Sequence, residues 1–183
     1  LFAIEPPKVP NPQDYGYYEG NPAHARFNAQ YGIVTCPYII PGQRTMRPLE
    51  RMPADYEEAM AVFEAFDPAT APEGPVLKDL IINCRVMTVD GRYPIRIRDD
   101  FGADIKPAKP VPMVVFSTNP DPELPAPNVG QYTLAQVKTM IQNEPLIGGI
   151  YVDSCAAWVA RYRNVRRDHF ATADFPLVYD DDT

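Results

Sequence analysis

Cys155 and Arg161 stand six residues apart in the run Cys-Ala-Ala-Trp-Val-Ala-Arg. At the start of a helix the positive end of the backbone dipole lowers a thiol pKa, and an arginine at this spacing is able to clamp the anion that a thiolate would attack. A phosphate cradle also needs a loop of backbone N–H groups, usually glycine-assisted, whereas Ala156 to Ala160 reads as continuous helix. A buried structural cysteine is therefore the alternative reading of Cys155. His169, next to Asp168, is 14 residues further on, about 21 Å along a single helix, and does not reach Cys155 within it. His24 lies far away in sequence and reads as a surface or capping histidine.

The second chemistry is that of guanidinium groups. Arginine outnumbers lysine 12 to 5, a bias toward planar, bidentate contacts with carboxylates and phosphates. Arg163, Arg166 and Arg167 fall in what reads as the last two turns of a helix, where cations complement the negative helix end. Arg85, Arg96 and Arg98 fall on a predicted hairpin that sets Arg85 against Arg96 and Arg98 beside Asn83. Like charges so opposed call for an anion, supplied internally by Asp99, Asp100 or the acidic C-terminus, or externally by a phosphate or an acidic partner. Tyr15, Tyr17, Tyr18, Phe27 and Tyr31 add large rings whose burial is favourable. Together with the arginines they form the expected protein-binding set.

The Cys155–Arg161 spacing is similar to that of cysteine phosphatases, over those residues alone, and implies a minor alternative of a small cysteine-dependent hydrolase. Asp100-Phe101-Gly102 matches a protein-kinase tripeptide, but no Gly-rich loop or His-Arg-Asp accompanies it. Cys36, Cys84 and Cys155 are an odd number at wide spacing with two histidines, so no zinc site, disulfide framework or cofactor is expected. No carboxylate pair or dinucleotide fingerprint is found, and no catalytic residue is assigned.

The elements that position these residues are read from periodicity and punctuation. Residues 1–50 carry eight prolines and five tyrosines and read as an extended arm. Acids after Pro53 and the stop at Pro68 delimit a helix over 53–66, with Tyr56, Ala59, Met60, Phe63 and Phe66 on one stripe. Period-two alternation around Asp90-Gly91 predicts a β-hairpin over 77–98 that buries Cys84, Val86, Ile95 and Ile97, with Pro94 at a sheet edge. Met113–Phe116 reads as a buried strand within a proline-rich connector over 107–127. A capping box at Thr133–Gln136 opens a helix over 134–143 that buries Leu134, Val137 and Ile141. Leu146–Val152 reads as a strand whose Gly148-Gly149 pair marks a bulge or a close approach. A final helix runs over 154–170, and an acidic tail occupies 177–183.

The result is an α+β class: a small antiparallel or mixed sheet, about three helices, and long proline-rich arms around a single domain at 51–176. The net charge of −7 over 183 residues argues against general nucleic-acid binding. The longest apolar run, Leu146–Val152, is too short to span a bilayer. The 22 prolines suit a chain that lies ordered on neighbours. These features point to a non-catalytic accessory or structural subunit of a large multiprotein assembly, bound through its arm and its arginine patches. The start at Leu1 suits a processed chain, hence an organellar complex of the mitochondrial respiratory or ATP-synthase type, with a virus or phage shell as the alternative.

Overall fold

The computed structural model describes residues 16–71, 73–101, 110–153 and 164–173. They form two compact units: residues 16–40 with 132–153, and residues 41–131 with 164–173. The class is α+β, with short helices and small sheets. Residues 1–15 of the arm expected over 1–50, residues 107–109 of the connector expected over 107–127 and the tail at 177–183 lie outside the described residues, as do Tyr15, Cys155, Arg161 and Arg163. Residues 16–50 of the arm are not a plain extended segment but carry a short helix and strands.

The second unit is built on a three-stranded antiparallel sheet of β4 (Gln43–Met46), β5 (Ile95–Phe101) and β6 (Pro110–Ser117), with β6 central. Met113, Val114, Val115 and Phe116 are all buried, as a continuous apolar run in a central strand requires. Helix α2 (Tyr56–Ala65) starts where Asp55 accepts the Glu58 N–H at 2.9 Å and the Glu58 carboxylate accepts the Ala54 N–H at 2.6 Å. This is the reciprocal logic of a capping box. Its Ala59 and Phe63 enter the core, where Phe63 meets Phe116 at 4.9 Å between ring centroids beside Met46, Leu77, Ile81 and Val114. Burial of each such ring stabilises by about 1.5–3 kcal/mol.

The hairpin over 77–98 is not formed. Residues Leu77–Cys84 make a helix, α3, because Leu77, Leu80, Ile81 and Cys84 recur at i, i+3, i+4 and i+7 and are all buried. The Asp90-Gly91 turn exists, with Gly91 at φ +76° and the Thr88 N–H on the Arg92 carbonyl at 2.8 Å. The backbone on either side of it pairs elsewhere. Val86 donates to Ser117, Met87 accepts from Val165, and Ile95 lies opposite Phe116 on β6. Arg85 therefore bridges Thr118 while Arg96 faces Val115, so the expected like-charge opposition is absent. Pro94 does lie beside an edge strand, β5, as its missing N–H demands.

Helix α4 (Val129–Asn143) begins before the expected Thr133, because Asn128 supplies the cap by accepting the Gln131 N–H at 2.8 Å. The Asn128 amide also donates to the carbonyls of Pro122 and Leu124, which folds the proline-rich connector onto the helix start. The expected inner stripe is wrong in detail: Thr133 is buried, whereas Leu134 and Ile141 are 62% and 48% exposed. The last helix, α5 (Arg167–Phe170), is short. Residues 164–166 are not helical, so no helix runs unbroken to Phe170.

The first unit holds α1 (Ala25–Ala29) and short parallel ladders. In these β1 (Tyr17–Glu19) pairs β2 (Val34–Cys36), and β3 (Tyr38–Ile39) pairs β7 (Tyr151–Val152). Thr35 also bridges Ile147 while Tyr38 pairs Tyr151, so three steps on one strand face four on the other. The extra residue is a bulge at Gly148-Gly149, where a Cβ would lie 2.5 Å from the Val34 Cγ1 and 3.2 Å from the Cys36 Sγ.

Candidate functional site: an arginine-lined cleft

Three of the expected arginines, Arg85, Arg166 and Arg167, converge in the second unit on a cleft of about 430 Å³, whose walls also carry Tyr93, Asp168, Ile82, Met87 and Val165. Arg85 occupies the C-cap of α3, and its guanidinium carbon lies 3.6 Å from the Tyr93 ring centroid and 5.5 Å from that of Phe63. The ring faces offset part of its charge. Its Nε and Nη1 are covered and have no hydrogen-bond partner among the described residues. Such covered donors are costly to leave unmet.

Arg166 has a different role from the one expected of a docking residue. Its Nη1 donates to the Ile82 carbonyl at 2.8 Å and to the Arg85 carbonyl at 3.1 Å. Its Nε donates to Asp168 Oδ1 at 3.1 Å while Nη2 engages Oδ2, a fork that holds the Asp168 carboxyl below the ordinary carboxylate range. His169 completes the arrangement. It is buried, its Nε2 lies 2.9 Å from the Asn83 carbonyl and its Nδ1 lies 2.8 Å from the Asn164 amide. A single neutral tautomer, with the proton on Nε2, satisfies both contacts, and burial depresses its pKa. The Cys84 carbonyl accepts the Asn119 N–H at 2.7 Å, so each carbonyl from Ile82 to Arg85 has a donor from a distant segment. Arg167, on α5, is exposed and makes no hydrogen bond among the described residues.

Arg96 and Arg98 lie on β5 and are not brought into the cleft; Arg96 donates to the Gln43 side chain at 2.8 Å. In the first unit, the Tyr18 hydroxyl meets His24 Nδ1 at 3.0 Å, and Phe27 packs on Tyr31 at 5.1 Å. The Tyr17 hydroxyl donates to Glu19 at 2.9 Å, and that bond raises its pKa, with the Glu19 charge adding to it. Tyr17, Val34 and Tyr38 are exposed while Thr35 and Pro37 between them are buried, and Tyr38 stacks on Tyr151 at 5.7 Å. Burial and then the bond to Asp153 push the Tyr38 hydroxyl up to about 12. Val34, Tyr38 and Tyr151 add one aliphatic and two aromatic side chains to the expected protein-binding set, and the alternation Val34, Cys36, Tyr38 is the sequence signal that marks the first two.

The two described cysteines are poor nucleophiles. Burial raises both pKa values, and the Cys84 Sγ accepts the Val129 N–H at 3.2 Å. Among the described residues no group of three or more metal-ligating side chains occurs, and no helix is long and apolar enough to cross a membrane. Comparison with protein-family models, with curated proteins and with solved structures found no match.

Proposed function

We propose that this protein is a non-catalytic accessory subunit of a multiprotein assembly and that its first unit carries the docking face. The observation that supports this reading is the exposure of Tyr17, Val34 and Tyr38 on a parallel ladder. Parallel strands occur almost only where both faces are covered. Tyr31, Leu134, Ile141 and Leu146 add further exposed apolar side chains in the same unit. Large exposed apolar sets of this kind mark protein interaction sites.

The test is co-purification from native-level expression, with mass spectrometry of the retained proteins. Val34→Glu and Leu134→Glu together are expected to release the partners without lowering the melting temperature. A wild-type chain that elutes alone, or a double variant that retains every partner, overturns the proposal. The setting we propose is an organellar complex of the respiratory or ATP-synthase type, and the retained proteins report it directly. Shell proteins of a virus in their place favour the alternative.

A further inference from the structure

We infer that the Arg85/Arg166/Arg167 cleft is a binding site for a phosphoryl group. The inference rests on the second unit alone and not on the docking reading.

The charges facing the cleft are three guanidinium groups and the carboxylate of Asp168. Arg166 and Asp168 satisfy each other through both carboxylate oxygens. Two cations, Arg85 and Arg167, are left without an anionic partner among the described residues. A phosphate monoester near neutral pH carries about −1.5 to −2 charges, a match for two guanidinium groups that a single carboxylate does not offer.

Geometry adds to the charge count. Stacking at 3.6 Å on Tyr93 fixes the Arg85 plane, and with Nε and Nη1 covered, Nη2 is the nitrogen left for a ligand. A donor already fixed and partly stripped of water binds an anion more strongly than a solvated one, because little ordering or desolvation remains to be done. Arg167, on the same lining, is an exposed, adjustable donor. A cavity of about 430 Å³ falls in the size range of small-molecule sites. The walls at Ile82, Met87 and Val165 are apolar and suit a compact body attached to the phosphoryl group rather than a polymer of charge.

The test is isothermal titration of the full chain at neutral pH with inorganic phosphate, sodium acetate and n-butyl phosphate, each at balanced ionic strength. Saturable binding of phosphate but not of acetate is expected. Arg167→Gln, at an exposed position, should weaken phosphate binding about fivefold or more with the melting temperature unchanged, the loss of one charge-assisted contact. Asp168→Asn should tighten it, because the one anion on the wall is gone. Tighter binding of butyl phosphate than of phosphate assigns an ester ligand, and equal binding assigns free phosphate. No saturable heat with phosphate, equal binding of acetate, or an Arg167→Gln variant with wild-type affinity overturns the inference. Arg85→Gln gives a second reading wherever it folds: phosphate binding is lost if the site is real and retained if it is not.

Discussion

Gly130→Ala tests the close approach between α4 and the proline-rich connector. Ala is the better helix former, by up to about 1 kcal/mol, so helix propensity alone predicts a stabilised protein. The surroundings predict the opposite sign. A Cβ at Gly130 would lie 2.6 Å from the Pro122 nitrogen and 2.7 Å from its Cα, which are backbone atoms that no rotamer change can move. To relieve the clash, the connector must separate from the helix. That loses the bonds from the Asn128 and Gln131 side chains to the Pro122 carbonyl, at 3.1 and 2.8 Å. Each contributes about 1 kcal/mol, and overpacking strain adds about 1–3 kcal/mol. After the helical gain is subtracted, a net destabilisation of about 2–4 kcal/mol follows, or about 4–16 °C in melting temperature for a chain of this size. Urea denaturation followed by helical circular dichroism reads it. A midpoint equal to or above that of the wild type refutes the close approach.

Three further outcomes follow from the α3 terminus and the thiols. His169 is held neutral, so the unfolded chain takes up its proton first as pH falls. Its contribution is fully present above about 6.5 and is lost as pH drops from there through the depressed folded value. Stability curves should show that slope, and His169→Gln should remove it; the Asp168 contribution is lost at lower pH, below about 4, because that folded pKa is depressed too. Arg166→Met leaves the Ile82 and Arg85 carbonyls without their charged donor and should cost about 2–3 kcal/mol in chemical denaturation; a loss under about 0.5 kcal/mol would reduce it to an ordinary surface residue. In mass-mapped iodoacetamide labelling, Cys84 should react only on unfolding and Cys36 slowly. In the same experiment a Cys155 left unmodified at mildly acidic pH removes the nucleophile reading.

Local signals carried well from sequence to structure. Helix α2 is anchored by acids at its start and stopped before Pro68, the Met113–Phe116 run is a buried central strand, and Gly148-Gly149 is a bulge. The Leu77–Cys84 segment misled because Leu80, Ile82 and Cys84 also fit alternation, and helical against strand period is hard to separate over eight residues. The start of α4 was hidden because its cap, Asn128, follows a proline and precedes a glycine that reads as a breaker. At the cleft, the arginines were legible as a group, but their convergence was not. Arg85 and Arg166 are 81 residues apart and meet only because Arg166 caps α3. Tyr93 and Phe63, which hold Arg85, carry no sequence mark that separates them from ordinary core aromatics.

The borrowed end of α3 has a consequence for synthesis. Its carbonyls from Ile82 to Arg85 are satisfied by Asn119, Arg166 and His169, all of which leave the ribosome later. At about 5–20 residues per second, the 81 residues from Arg85 to Arg166 take about 4–16 s to emerge. For that interval water must stand in for the missing donors, so α3 can dock in its final form only once Arg166 and His169 have emerged. A nascent chain stalled before Arg166 would present an open helix end and an unpaired Arg85 face to chaperones, and its release from them would report completion of the second unit.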